Sequence, residues 1–443
     1  MKLWQKNIES LKEVEKFTVG RDREFDIQLA PFDVLGSIAH AKMLATVGLL
    51  TKAEADQLVE ALKDIYSSTQ HSTFNIQDGV EDIHSQIELM LTERLGDVGK
   101  KIHSARSRND QVLVDVKLFL RDELEKLVKA IQPFFDLLQS QSEKYKHYLF
   151  PGYTHLQLAM PSSFGLWFGA YAESLVDDMI SVKAAYEIVN KNPLGSAAGY
   201  GSSFPINRKM TTEFLGFADL NYNVVYAQMG RGKTERIVAM ALANIADTLS
   251  KLATDSCLYL NQNFNFISFP AELTTGSSIM PHKKNPDVFE LIRSHCNQIK
   301  SLPNEIMMMT SNLPSGYHRD LQLLKEHVFP AFQTIRECFE MAGLMLSNIE
   351  IRKDILEDDK YRYLFSVEEV NKLVLQGVPF RDAYKKIGLD IEAGRFSFNS
   401  SIHHSHEGSI GNLCTAEIKQ QMQSIIQSFP FERVHSAIEK LVS

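Results

Sequence analysis

The chain has 443 residues, of which 44% are hydrophobic and 23% are charged, and its formal net charge is −8. This length is enough for two or three domains with a large core, and the composition is ordinary for a globular protein. The acidic balance argues against a nucleic-acid partner, so any positive charge that binds a substrate has to be local.

The N-terminal stretch MKLWQKNIESLKEVEKF lacks the apolar segment of a secretion signal, and no apolar run of about 18 residues follows it. Neither secretion nor a membrane-spanning segment is therefore expected. The four cysteines are far apart and form no CxxC or CxH pair: Cys257, Cys296, Cys338 and Cys414. Reduced thiols in a cytoplasmic protein are the simplest interpretation.

The N-terminal part of the chain, residues 1–106, is predicted to consist of short helices and loops. Apolar residues at helical spacing predict a helix over 33–50 that stops near Gly48, and Thr51 is the expected N-cap of the next helix. A second amphipathic helix is predicted over 81–95, and Gly96 ends it. We expect these elements to form an N-terminal helical domain.

Long helical patterns dominate the middle of the chain, at 111–131, 161–190, 235–252 and 287–311. Shorter ones follow at 367–376, 380–388 and 415–428. The pattern predicts an all-α fold with three helical domains, namely 1–106, a central long-helix bundle at 107–350, and 351–443. So much apolar helix surface suits a large monomeric bundle and burial against other subunits equally well.

The stretch GSSIMPHKKNPD, residues 276–287, has the composition of a substrate-closing loop. Pro281 and Pro286 exclude a helix through its second half. Hydroxyl groups lie at one end and ammonium groups at the other, which suits a loop that closes over a small polyanion. The alternative is a solvated basic turn between helices.

Three other stretches are rich in polar side chains. HSARSRNDQ, residues 103–111, places Arg106, Arg108 and Asn109 at a predicted helix N-terminus, which would form an anion site; capping by Asn109 and Asp110 is the alternative. In PGYTHLQLAMP, Thr154 and His155 are predicted at a helix entrance, although a lone histidine is usually structural. The third stretch is YHRDLQLLK, residues 317–325.

These stretches carry a resemblance to a known family. GSSxMPxKxNP resembles the signature loop of the fumarase/aspartase superfamily, and GYTHLQ is similar to its TH region. RSRNDQ and KKNPD are most similar to the argininosuccinate lyase branch. The resemblance implies that Ser277 is the base and that His155, oriented by Glu290, is the general acid or its proton relay. It also implies substrate-binding roles for Ser37, Arg108, Asn109, Thr154, Lys283, Asn285, Tyr317, Arg319, Gln322 and Lys325.

The activity implied by the resemblance is the reversible elimination of argininosuccinate to arginine and fumarate, a step of arginine biosynthesis. No cofactor and no metal are expected, because the substrate's own carboxylate takes up the charge. A cytoplasmic homotetramer with sites shared between subunits is also implied. Two alternatives are another lyase or cycloisomerase of the superfamily, of the adenylosuccinate or carboxymuconate type, and a catalytically silent crystallin-like protein.

The sequence departs from the branch pattern at several positions. His282 replaces the usual glutamine, and Arg319 replaces the usual lysine. Residues 221–232 lack the usual acidic residues, and glycines flank Arg231, which puts a local salt-bridge network in doubt. The histidine cluster at His403, His404 and His406 is expected to be an exposed loop cluster and not a metal site.

Overall fold

The computed structural model describes residues 11–71, 74–402 and 404–443, and helices dominate them. In chain order the α-helices of these ranges are α1 (Lys12–Val19), α2 (Asp22–Asp26), α3 (Ala30–Thr46), α4 (Lys52–Thr69), α5 (Ile83–Leu95), α6 (Asp97–Lys100), α7 (Arg108–Lys144), α8 (Phe164–Val189), α9 (Arg208–Phe214), α10 (Val224–Met229), α11 (Lys233–Leu260), α12 (Asp287–Met309), α13 (Leu324–Ser347), α14 (Ser366–Leu375), α15 (Phe380–Glu392), α16 (Thr415–Gln427) and α17 (Phe431–Val442).

Strands in the described ranges are short and form three pairs. Strands β1 (Leu149–Thr154) and β2 (Gln157–Ser163) make an antiparallel hairpin. Strands β3 (Lys191–Asn192) and β4 (Asp219–Leu220) pair in parallel, and β5 (Ile267–Ser268) is antiparallel to β6 (Glu350–Ile351). The predicted all-α fold class is confirmed, while the domain boundaries at 106 and 350 stay predictions.

Five long helices, α7, α8, α11, α12 and α13, form the central bundle. Helix α11 packs against α12 and α8, and α7 packs against α8 and α13. The apolar stripe predicted in α7 is buried throughout, for example at Leu120, Leu124 and Ile131. Each such leucine or isoleucine contributes roughly 1.5–3 kcal/mol by leaving water, so the stripe fixes which face of the 37-residue helix points inward.

The helix starts follow the capping signals in the sequence. Thr51 accepts a hydrogen bond from the backbone N–H of Glu54, and the Glu54 carboxylate accepts one from the backbone N–H of Thr51 at 2.9 Å. Ser107 forms the same kind of capping box with Asp110 at the start of α7. Gly96 follows α5 with a φ of 59°, a left-handed conformation that glycine adopts without strain.

The C-terminal helices return to earlier parts of the chain. Helix α16 packs on α8 and α7, whereas α17, which the sequence analysis missed, packs on α3 and α9. Lys42 Nζ donates to the Leu441 carbonyl at 3.0 Å, and Lys63 Nζ donates to the Ser443 carbonyl at 2.6 Å. The end of the described chain is therefore fixed against the N-terminal helices.

Helix α11 is long and apolar enough to cross a membrane by length and composition alone. However, 61% of its apolar window is buried inside the structure. A core helix of a bundle passes the same test, and the contacts of α11 with α8 and α12 are those of a core helix.

Candidate active site

A polar cavity lies where the starts of α5 and α7 meet α2 and residues 317–325. Six of the predicted substrate-binding residues line it: Arg108, Asn109, Tyr317, Arg319, Gln322 and Lys325. Five further charged or ionisable side chains from α2 and the region of α5 line it as well: Asp22, Asp26, Glu81, Asp82 and His84. Residues more than two hundred positions apart in sequence thus form one site.

Asp110 holds the first turn of α7 in position at this cavity. Its fully buried carboxylate accepts hydrogen bonds from the backbone N–H groups of Ser107 at 2.8 Å, Gly195 at 2.9 Å and Ala197 at 3.0 Å. Burial raises the pKa of Asp110 to about 6, although these amides oppose the shift. The capped turn presents Arg108 and Asn109 to the cavity, so the capping of α7 and the predicted anion site occur in the same turn.

Two of the three arginines that line the cavity, Arg108 and Arg319, share carboxylates at the start of α5. Arg108 pairs with Glu81 at 3.2 Å and with Asp82. Arg319 donates to Glu81 Oε1 and to the Thr18 carbonyl, each at 3.0 Å. Asp82 is also the N-cap of α5 and accepts a hydrogen bond from the Ser85 backbone N–H at 2.9 Å. The acids and the arginines therefore orient one another.

Lys325 is buried at the base of the cavity and is only 3% exposed. Its ammonium group pairs with Asp26 and with Asp22, the latter at 2.6 Å. Burial by itself would lower the pKa of Lys325, but Asp26 and Asp22 outweigh it and raise the pKa. The charge of Lys325 is thus maintained at neutral pH by two carboxylates of α2.

The loop before α12 has a different character. Residues 274–286 are not helical, and Lys283 is exposed. Ser277 Oγ accepts hydrogen bonds from the backbone N–H of Met280 at 3.1 Å and of Ile279 at 3.4 Å. Asn285 Nδ2 donates to the Gly276 carbonyl at 3.3 Å, which joins the two ends of the loop. Glu290 lies just beyond it, exposed in the first turn of α12.

Thr154 and His155 lie at the exposed tip of the β1–β2 hairpin. The prediction of a helix entrance was wrong, because α8 begins only at Phe164, with Ser163 as its N-cap. The reason is the self-pairing of 149–163, in which Pro151 lies opposite Pro161 and the strands remain extended. His155 and Leu156 make the turn with left-handed φ values of 53° and 58°.

Ser37 lies apart from the cavity. Its side chain is fully buried in α3, donates to Asp33 Oδ1 at 3.4 Å, and accepts a hydrogen bond from Arg106 Nη1 at 2.9 Å. The expected contact of Ser37 with substrate is therefore not supported by its position. Its hydroxyl serves the core, where it orients Arg106.

Comparisons with known proteins give this geometry a context. A family model described as "Lyase" matches residues 5–300. Argininosuccinate lyase of Bacteroides fragilis is 63% identical over 441 residues, covering 100% of this chain and 99% of the relative. That of Bacteroides thetaiotaomicron is 61% identical over 441 residues, with the same coverage of both chains.

The chain belongs to the argininosuccinate lyase family.

A solved structure described as an EDDS lyase variant with bound fumarate aligns with a TM-score of 0.79 at 20% identity. The alignment covers 98% of this argininosuccinate lyase-family chain and 95% of the other. At that identity the likeness establishes the shared fold. The predicted superfamily and the predicted branch are both confirmed.

Apart from Ser37, the predicted site residues of this argininosuccinate lyase-family chain fall into two groups. One group of six lines the cavity. The other group lies on the loop, the first turn of α12 and the hairpin tip, and none of its described members lines that cavity in the single chain: Ser277, Lys283, Asn285, Glu290, Thr154 and His155. Their catalytic roles stay predictions.

The sequence analysis gave no role to the acids of the cavity. Asp22 and Asp26 lie four residues apart in VGRDREFD, and this spacing would have placed both on one helix face. Glu81, Asp82 and His84 lie together in EDIH, immediately before or within the first turn of α5. Spacing was the available signal, but nothing local indicates that a lysine 299 residues later pairs with Asp26.

The unusual segment 221–232 retains an ion pair despite its missing aspartates. Arg231 Nε pairs with Glu235 at 2.8 Å, and Arg231 Nη2 donates to the Leu321 carbonyl at 3.0 Å. Arg231 therefore keeps an ion pair, because a glutamate one turn later takes the place of the flanking acids. Gly232 has a φ of 77°, and a Cβ there would lie 2.6 Å from Thr310 Cγ2, so an aspartate does not fit this backbone.

The histidine cluster near the C-terminus is tied into its own loop. His404 interacts with Ser409 Oγ at 2.7 Å and with Glu368 at 3.3 Å. His406 is exposed, and His403 lies outside the described residues. Within the described ranges, a grouping of side chains that could hold a metal ion occurs elsewhere, at Asp33, His84 and Asp115.

Proposed function

We infer that this chain catalyses the reversible elimination of argininosuccinate to arginine and fumarate, a reaction that forms arginine. The observation that carries the inference is the 63% identity with a curated argininosuccinate lyase over the whole of both chains. The cavity supports it, because cationic and amide side chains converge there in a form suited to a substrate with several carboxylates.

The chemistry explains why such a cavity is useful. The reaction removes a proton from the carbon next to a carboxylate, and the electron pair moves onto that carboxylate before the C–N bond breaks. Water stabilises the resulting dianion poorly, whereas oriented cations and N–H donors stabilise it well. The elimination itself requires no redox or electrophilic cofactor, since the carboxylate of the substrate accepts the charge.

For the proton transfers we propose Ser277 as the base and His155, oriented by Glu290, as the general acid or its relay. Lys283 and Asn285 would lie next to the developing charge when the loop closes. An unassisted hydroxyl is a very weak base, so Ser277 needs these cations and the exclusion of water. Two observations on the loop support this assignment. The hydrogen bond from Asn285 to the Gly276 carbonyl brings Asn285 close to the residue before Ser277, and the loop is exposed.

We propose a homotetramer in which several copies contribute to each site. The separation of the loop and hairpin tip from the cavity within one chain supports sharing between copies. A second support is apolar surface on the long bundle helices, where four large side chains are each more than half exposed: Ile180, Met240, Leu291 and Met308. The free state of all four cysteines supports a cytoplasmic location.

The test is a turnover assay of the purified chain with argininosuccinate, followed by the absorbance of fumarate and by arginine release. We expect equal amounts of both products. Adenylosuccinate and a carboxymuconate substrate serve as matched controls, and turnover of either in place of argininosuccinate would assign a different reaction of the superfamily. A folded oligomer that turns over none of the three would favour the crystallin-like alternative.

A further inference from the structure

A buried charge cluster lies directly beneath the cavity. His84, in the first turn of α5, contacts Asp33 of α3 through Nδ1, and the same nitrogen lies 3.4 Å from Asp115 Oδ2 of α7. All three side chains are buried. Three helices therefore meet at one imidazole ring that is held by two carboxyl groups.

The cluster favours a charged histidine. Burial would lower the pKa of His84, but Asp33, Asp115 and Asp26 outweigh it and raise the pKa to about 9. Burial and the neighbouring Asp33 raise the pKa of Asp115 well above its usual range, whereas His84 keeps the pKa of Asp33 low against the effect of burial. At neutral pH the raised pKa of His84 favours the imidazolium form, and Asp33, whose pKa is lowered, is its ionised partner.

A second buried histidine shows what burial does without carboxylates. His40 of α3 has only the Ser104 carbonyl as its partner, 2.8 Å from Nε2, and its Nδ1 has no partner. Burial and the nearby Arg106 lower the pKa of His40 to about 3. The charge on His84 is thus a consequence of the carboxyl groups beside it, because the buried His40, which has cations in place of carboxylates nearby, has a lowered pKa.

The direction of the ring matters as much as its charge. His84 lines the cavity, while Asp33 and Asp115 do not. Because Nδ1 is hydrogen-bonded to Asp33, Nε2 is the ring nitrogen left for the cavity side. Arg108, Arg319 and Lys325 differ in this respect, since their acidic partners line the cavity with them and compensate their charge there.

We propose that His84 contacts the substrate and donates its Nε2–H from the base of the cavity to a substrate carboxylate. Asp33 and Asp115 are positioning residues that act through the ring. The proposal rests on the proposed function and adds to it a ligand contact for a residue outside the predicted set. His84 binds a carboxylate that is charged in the substrate and in the transition state alike, so its removal raises KM more than it lowers kcat.

A bound metal ion is the competing interpretation of the same three side chains, since their ligand atoms lie within 4.8 Å of one another. The hydrogen bond between His84 Nδ1 and Asp33 favours a proton at this position. A divalent ion would need Nδ1 deprotonated and Asp115 ionised, against the direction of both pKa shifts.

The experiment compares His84→Gln with the wild-type chain and with His40→Gln, a buried histidine outside the cavity. Loss of a charge-assisted hydrogen bond predicts that KM for argininosuccinate and the inhibition constant of fumarate each rise about tenfold to hundredfold in H84Q, with kcat changed far less. We expect H40Q to leave both constants near the wild-type values. Equal constants in all three proteins, or a change in kcat alone, would overturn the proposal.

A second variant covers the case in which H84Q does not fold. Asp33→Asn keeps the ring but removes the ionised partner, so the rise of KM at alkaline pH should begin at lower pH than in wild type. The other groups facing the ring, Asp115 of α7 and Asp26 of α2, stay in place. The proposal would be overturned if KM of D33N began to rise at the same pH as KM of wild type. It would also be overturned if wild type bound stoichiometric Zn²⁺ and D33N did not. Absence of wild-type turnover would instead contradict the proposed function.

Discussion

The two halves of the proposed site are built in opposite ways. In the cavity, Asp26, His84 and Lys325 are buried and each has a charged partner, and Lys325 is only 3% exposed between two aspartates. In the loop of residues 274–286, Ile279 is 83% exposed, and Ser277 contacts only the backbone of its own loop. The cavity is preorganised within one chain, whereas the loop gains partners only by closing or by meeting another copy.

This difference means that the cavity affects the stability of the fold, whereas the loop affects the free energy of binding. The cavity holds charges out of water, so it lowers stability unless every charge is paired. The loop has little effect on the stability of the single chain, and its ordering cost falls on the bound state. Substitutions in the first half should therefore change stability as well as activity, and those in the second half should change activity alone.

The largest expected effect belongs to the loop. Ser277→Ala should lower kcat about 10³-fold, because a positioned base contributes about 10²–10⁴-fold. The melting temperature should remain that of wild type, since Ser277 Oγ contacts only local backbone N–H groups. Ser278→Ala is the matched control, with a loss of kcat below about tenfold. Equal losses in the two variants would remove Ser277 from the proposed role.

In the cavity, Lys325→Met should destabilise the protein by about 3–5 kcal/mol, because Asp22 and Asp26 lose their buried counter-ion. Denaturant unfolding measures the change. Lys360→Met provides the control, since Lys360 pairs with Asp358 at the surface and such pairs contribute about 0–1 kcal/mol. If both variants unfold at the same denaturant concentration, the cavity is not held together by its ion pairs.

The cavity half should also make stability depend on pH. His84 has a pKa raised from 6.5 to about 9, so its contribution is complete below pH 6.5 and is lost as the pH rises through about 9. The shift corresponds to an order of 3 kcal/mol. Unfolding followed from pH 6 to 10 should show this loss in wild type and not in H84Q; a slope shared by both proteins would assign it to other groups.

The smallest effect is expected at Arg319, a cavity residue whose side chain is half exposed. Arg319→Lys restores the residue common in the family but replaces a fork that reaches Glu81 and the Thr18 carbonyl by a single ammonium group. Since the side chain is half exposed, we expect a loss below about 1 kcal/mol, measured as a severalfold rise in KM. Arg352→Lys, in an exposed pair with Asp354, is the control.

Local features of the fold were predictable because their causes lie within a few residues. The caps at Thr51 and Ser107 and the buried stripe of α7 follow from neighbouring side chains. The β1–β2 hairpin was missed because the apolar run after its turn also fits the start of a helix. Pro151 and Pro161 lie within its two strands. The ion pair of Arg231 could have been predicted, since Glu235 lies one helical turn away.

The site was predictable only as far as resemblance reached. Spacing along the chain cannot bring Arg319 to Glu81 or Lys325 to Asp26, because those contacts depend on how α2 and α5 pack against the bundle. It also cannot show that Ser37 points into the core or that carboxyl groups surround His84. Buried ion pairs between distant segments are tertiary facts, and the residues near them look like ordinary helix surface in the sequence.

The turn at His155 and Leu156 has a practical consequence for anyone wishing to make this protein more heat-resistant. Two consecutive residues with side chains adopt a left-handed backbone there, at a cost of roughly 1–2 kcal/mol each. Glycine in place of Leu156 would relieve part of that strain, so a search guided by melting temperature would select it. The same replacement would let the imidazole of His155 swing, so under the proposed role of His155 the more heat-resistant protein would be the slower catalyst.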